Sequence, residues 1–257
     1  MNLKSFSVAS AFLVLAIYLA LLVGLIASLD PTRILKIISS ERLVFSTILS
    51  LKAAILATFI AMVLAVPAGY ALSRLEFRGK AIVDTLLEVP LIITPVAFGA
   101  MLLIFFNTRA GILLQTGLGS FVFEFSGIVL AQFLTTAGLT VRMVKGTFDG
   151  IPARFEAVAC SLGATPLQAF TTTTLPMAAR GIIAAACISF AKCLGEFGAT
   201  AMIAGAMPMK SETLPISIFI RLGSADIEGM AILILILLAV GISVILILKF
   251  NLKQNYD

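Results

Sequence analysis

The sequence predicts an all-α membrane protein with six transmembrane helices, and three observations predict it. First, 60% of the 257 residues are apolar and only 12% are charged, far from the half-apolar, quarter-charged balance of soluble domains. Second, six apolar runs stand apart along the chain. Crossings of about 20 residues each use roughly half of it and leave short loops with no separate soluble domain. Third, the connection between the fourth and fifth runs is long, polar and helical in pattern. Residues 1–257 therefore read as a single transmembrane domain.

The first run, residues 8–29, exceeds the roughly 7–15-residue core of a cleavable signal and reads as a retained span. The second covers 47–72 and the third 89–106, with Pro90 and Pro95 inside it. The fourth, 127–144, is diluted by Gln132, Thr135, Thr136 and Thr140. Such a polar thread suits helix–helix packing or a pathway, and hydroxyls bonding back to their own helix are an equal reading. The fifth, 181–207, carries Gly195, Gly198 and Gly205 together with Lys192 and Glu196, and the sixth covers 230–248.

Lys192 and Glu196 are the strongly intramembrane charges, four apart on one helix face, and are expected to pair because each alone is costly in hydrocarbon. Anion binding at Lys192 is the second reading. Pro90, Pro95, Gly195 and Gly198 supply irregularities that a gate needs, and equally that helix packing needs.

Residues 145–180 form the long connection. Pro152 opens a helical stretch through Ala153, Glu156, Ala157, Val158, Ala159, Cys160 and Leu162, Gly163 ends it, and Pro166 and Pro176 bound a second piece. A docking element and a connector in the headgroup region both fit. Residues 208–228 are expected to be an outward loop that docks a partner. They hold Thr213, Leu214 and Pro215, an apolar stretch at 216–220, and a mixed-charge rim of Lys210, Glu212, Arg221, Asp226 and Glu228.

Ten Lys and Arg fall in the connections on the side of the termini and seven on the other, which favours cytoplasmic termini for a multi-pass protein of the cell membrane. The net charge of +5 thus follows from topology rather than from nucleic-acid binding. The chain has no His, which excludes His-based catalysis and most zinc or haem sites. Cys160, Cys187 and Cys193 have no metal-like spacing and read as apolar fillers. Gly79-Lys80 lacks the spacing and the following Ser or Thr of a P-loop, so no ATPase site is expected on this chain. A gradient-driven carrier would need more buried carboxylates or His, and a membrane enzyme would need a nucleophile–base pair or metal cluster.

At residues 154–165, with Leu175-Pro176 downstream, the sequence resembles the EAA loop of binding-protein-dependent ATP-binding-cassette importers. The run from Phe190 through Lys192, Leu194, Gly195, Glu196, Phe197, Gly198, Ala199 and Thr200, then Ala204-Gly205 and Thr213-Leu214-Pro215, resembles the molybdate/tungstate permease subunits, with sulfate permeases as close relatives. Ser50-Leu51-Lys52, Val66-Pro67-Ala68-Gly69 and Val89-Pro90-Leu91 extend the likeness over about 200 residues. Two positions depart: the motif's usual Glu falls on Ala157, with Glu156 one residue earlier, and Lys192 stands where relatives often show Arg.

The resemblance implies a type I importer fold with an EAA-type coupling helix between spans four and five. It further implies a homodimer of this chain, two cytoplasmic ATPase subunits carrying ATP and Mg, and an extracytoplasmic oxyanion-binding protein. The ATPase-coupling candidates are Arg154, Glu156, Ala157, Ala159, Gly163 and Pro176; the small residues allow close backbone approach, and the Glu156 carboxylate is expected to meet a cation across that interface. Pro90, Pro95, Lys192, Gly195, Glu196 and Gly198 are the pathway or gate candidates.

Overall fold

A computed structural model describes residues 3–27, 29 and 31–253; Ser28 of the expected first span lies outside them. All regular structure among the described residues is helical, with no strand. Five helical stretches are long and apolar enough to cross a membrane: Phe6–Ala27, Glu41–Arg74, Phe125–Asp149, Pro166–Leu194 and Ile227–Leu246. A bent pair, Lys80–Ile92 and Pro95–Phe106 at 111°, passes the same test when taken together and makes the sixth crossing where the pair is one broken span.

Helix α1 (Leu3–Ala27) buries no part of its apolar window against the rest of the chain. A short amphipathic helix, α2 (Pro31–Ile38), follows, and Ser40 then caps α3 (Glu41–Arg74) by accepting from the Leu43 amide. At 34 residues α3 is about 51 Å long, well beyond a ~30 Å hydrocarbon core. Its buried face is a seam of small residues: Ala53, Ala57, Ala61 and Ala65 at four-residue spacing, then Gly69. Small side chains let backbones approach closely, which drives helix association where lipid competes equally for apolar surface. At Gly69 an added Cβ would lie 2.9 Å from the Lys145 amide nitrogen. The seam thus seats α3 on α8 (Phe125–Asp149), the most extensive helix–helix contact among the described residues.

The third span differs from a straight helix over 89–106. It is an elbow of α4 (Lys80–Leu86) and α5 (Val89–Ile92), a break at Ile93 and Thr94, and α6 (Pro95–Phe106). Proline disfavours helical geometry at the residue before it. Thr94 is therefore extended, and its hydroxyl caps α6 by accepting from the Ala97 amide. Helix α7 (Arg109–Leu118) then leads back to α8.

The fifth span also differs from a continuous helix over 181–207. Its helix starts earlier, at Pro166, and stops at Leu194, so 195–197 are a break before α12 (Gly198–Ala204). The expected outer loop is itself ordered. Residues 211–217 are buried, and α13 (Leu214–Gly223) occupies its middle. Ser50 on α3 accepts from the Leu214 amide at 2.8 Å, and Glu212, only 1% exposed, receives the Arg42 guanidinium on both oxygens at 3.0 and 2.8 Å. Glu212 of the expected solvated rim is an internal tie instead, because its partner Arg42 stands on α3. The last helix is α14 (Ile227–Lys253).

Candidate functional site: a docking helix and two helix breaks

Between α8 and α11 (Leu175–Leu194) the chain builds the element expected from residues 154–165. Helix α9 (Arg154–Ser161) is two turns long. It ends at Leu162, and Gly163 takes φ +95°. The Ala164 amide reaches back to the Ala159 carbonyl at 3.1 Å and the Gly163 amide to the Cys160 carbonyl at 3.0 Å. That pair of bonds is a Schellman C-cap, which needs a left-handed residue and so selects Gly. Thr165 and Gln168 close a reciprocal capping box on α10 (Pro166–Ala169). A π-turn, Phe170–Thr174, leads into α11. Pro176 has no N–H for the Thr172 carbonyl, and the wider turn just before it accommodates the missing bond.

Glu156 is not offered outward. Its carboxylate accepts from Thr174 Oγ1 at 2.7 Å, Tyr70 Oη at 2.9 Å and Arg74 Nε at 3.1 Å. These bonds bind α9 to α3 and to the π-turn, so the expectation that Glu156 meets a cation on another subunit is corrected: the cation is Arg74 of the same chain. Burial opposes ionisation of Glu156, but the bonds from Thr174, Tyr70 and Arg74 and the guanidinium charge outweigh it. The carboxyl is held below its usual value. Arg74 also donates to the Ile151 carbonyl, and Ser73 donates to Asp149 at 2.6 Å, so the adjoining ends of α3 and α8 join the same block.

One exposed face of α9 is apolar. Phe155, Val158 and Leu162 face solvent at three- and four-residue spacing, Leu162 at 84%, and Leu167 adds 72%. Arg154 lies over the Phe155 ring at 5.4 Å, and Ala157 is exposed while Ala159 is half-buried. Phe155, Val158, Leu162 and Leu167 are not among the residues assigned to coupling from the sequence, although their helical spacing beside a polar face was the available signal. An exposed apolar stripe of this kind suits contact with another protein or with the membrane surface.

The two helix breaks meet. Pro95, Val96 and Gly99 on α6 pack on Gly198 and Ala199 of α12 so closely that a Cβ on Gly198 would lie 2.9 Å from the Val96 nitrogen, and one on Gly99 2.7 Å from the Ala199 Cα. Pro95 and Gly198 are thus brought together, whereas Pro90 sits in the first turn of α5 on the other side of the Thr94 break. Gly195 is exposed and C-caps α11. Glu196 is buried and caps α12, its Oε1 accepting the Ala199 amide at 3.0 Å. The expected Lys192–Glu196 ion pair is absent among the described residues. Gly195 ends the helix between them, so the four-residue spacing no longer places both on one face.

The polar thread of α8 is buried. Thr140 donates to the Thr136 carbonyl at 3.0 Å and bonds Ser189 on α11 at 2.7 Å, so the packing and back-bonding readings hold together. Gln132 is buried beside it, its amide lacking a protein partner.

Residues 61–254 match the family model of the binding-protein-dependent transport system inner membrane component. The chain is 33% identical over 236 residues, 91% of its length and 85% of the relative's, to the "Probable molybdenum ABC transporter permease protein" of Haloferax volcanii. It is 32% identical to the "Molybdate/tungstate transport system permease protein WtpB" of Thermococcus kodakarensis, over 77% of this chain and 74% of that one. A solved bacterial ABC transporter that imports the acidic polysaccharide alginate superposes with a TM-score of 0.77 at 15% identity, covering 99% of this chain and 97% of that one, which shows the type I importer fold. With an ordered helix in the long loop, five apolar spans and one bent apolar pair among the described residues, and a family match over three quarters of its length, the chain belongs to the binding-protein-dependent inner-membrane permeases of ABC importers.

Proposed function

We propose that this chain carries molybdate or tungstate across the cell membrane as one half of a homodimeric permease, driven by two ATPase subunits at the α9 end and supplied by an oxyanion-binding protein at the opposite end. The observation that carries the energetic half of this reading is α9 itself. It is rigidly capped at Gly163, tied to α3 through Glu156, and bare on an apolar face of Phe155, Val158 and Leu162.

ATP and Mg belong to the partner subunits, whose closure moves the paired α9 elements and switches the permease between inward- and outward-facing states. The α9 end, and with it both termini, is cytoplasmic on the charge balance of the connections. The substrate rests on the relatives that carry molybdenum and tungstate in their names. Pro95, Gly198 and the Glu196 cap form the moving contact of the pathway, and tight anion selection resides on the binding protein, because a conducting path must release its cargo.

The test is uptake by the reconstituted complex with binding protein loaded with each anion in turn. Uptake with molybdate or tungstate is the expected result. Uptake with sulfate alone would replace the substrate, and failure of every loaded binding protein to stimulate ATP hydrolysis would remove the importer reading.

A further inference from the structure

We propose that Asp84 and Glu88 are positioning residues for transport, clamping the α4–α5 elbow to α8 so that movement of α9 is delivered to the helix break at Thr94. The proposal rests on the importer reading above and names residues which that reading does not use.

Three contacts define the clamp. Lys145 Nζ meets Asp84 Oδ2 at 2.7 Å, and Arg142 Nη1 meets Glu88 Oε1 at 2.7 Å. Between them the Leu87 carbonyl lies on Gly138 so closely that a Cβ there would sit 1.9 Å from its oxygen. Residues 138, 142 and 145 share one face of α8, since their spacing of four and three follows the helical repeat. Gly at 138 is what lets one backbone rest on another, and the two ion pairs fix that resting point in register. Among the described residues, no other hydrogen bond or ion pair ties the elbow to another helix.

The clamp stands between two bodies already described. On one side, the joined ends of α3 and α8 and helix α9 are one hydrogen-bonded block. On the other, α6 leaves the Thr94 break and seats Pro95, Val96 and Gly99 on α12. If the elbow follows the block, a rotation of α9 must change the bend at Thr94 and shift α6 against α12. If the elbow were free to slide along α8, the same rotation would be lost before reaching the break. Arg142 and Glu88 are 49% and 40% exposed and Lys145 and Asp84 24% and 35%. The Arg142–Glu88 pair is open enough to add little to stability, and the Lys145–Asp84 pair is more enclosed, so the charge exchange and the label distances below separate register from folding.

In the complete reconstituted complex, the Asp84→Asn, Glu88→Gln double variant is expected to keep binding-protein-stimulated ATP hydrolysis within about twofold and to lose anion uptake by about tenfold or more. Exchanging charges, Asp84→Lys with Lys145→Asp, should restore uptake relative to Asp84→Lys alone. Unchanged uptake, a parallel loss of uptake and hydrolysis, or a swap no better than its single parent would overturn the proposal. Loss of uptake by the unmodified complex would instead strike the importer reading.

A second measurement holds even where the neutralised variant does not assemble. Spin labels at Ile82→Cys and Gly146→Cys, in a Cys160→Ser background with the clamp intact, should keep one separation in nucleotide-free and ATP-bound complexes. A separation that changes between those states would show the elbow sliding on α8 and end the argument.

Discussion

At Gly163 the backbone adopts φ +95° with open space where a side chain would go. Substitution there is penalised by conformation, about 1–2 kcal/mol, and not by a clash within the chain. Gly163→Ala and Gly163→Leu should therefore loosen α9 equally in the isolated permease, measured as hydrogen exchange of its amides. Any further loss of ATPase affinity for the Leu variant would report the partner's surface.

Glu156 belongs to the same scale. Its folded pKa lies below the ordinary carboxylate value of 4.5, so the docking it supplies is complete above that value and is lost as pH falls through the lower, folded one. Exchange of α9 should accelerate only in that acid window, and Glu156→Gln should abolish the pH dependence. Glu156→Ala leaves Arg74 and Thr174 without their shared acceptor and should cost about 1.5–3 kcal/mol of α9 docking.

Helices and their interruptions carry the next predictions. Gly198→Leu would drive a side chain into Pro95 and Val96, separating α6 from α12. It should abolish uptake while leaving the complex assembled, as size-exclusion chromatography with an uptake assay would show. Neutralising Lys192 and Glu196 singly and together should give additive effects, because Glu196 caps α12; a measured coupling energy would mean that another state of the cycle pairs them.

The spans were legible in the sequence because hydrophobic length is a one-dimensional property. The α9 boundaries were legible from Pro152 and Gly163 for the same local reason. What escaped depended on partners far along the chain. Glu212 read as a surface charge until Arg42 was found beside it, and Glu156 read as an outward carboxylate until Tyr70, Arg74 and Thr174 enclosed it. Pro95 announced a kink, but neither its 111° size nor the packing of α6 on α12 follows from a local signal.

For the molecule as a whole, orientation is the open quantity, and the chain carries its own reporter. Cys160 is exposed on α9, whereas Cys187 and Cys193 are buried. A membrane-impermeant maleimide should leave the permease unlabelled in intact cells and modify Cys160 after permeabilisation, in preparations free of ATPase subunits. A Met209→Cys variant, at an exposed site on the opposite end, should label from outside. The reverse pattern would invert the topology.

Because Pro166–Leu194 runs as one helical stretch of 29 residues through its π-turn, roughly 40 Å long at ~1.5 Å per residue, it multiplies angle into distance. A tilt of only about 10° about its docked end sweeps the other tip by roughly 7 Å, and that tip is where Gly195 releases the chain into the break. A rotation small enough to preserve side-chain interlocking near the fulcrum therefore becomes a displacement of several ångströms at the far end.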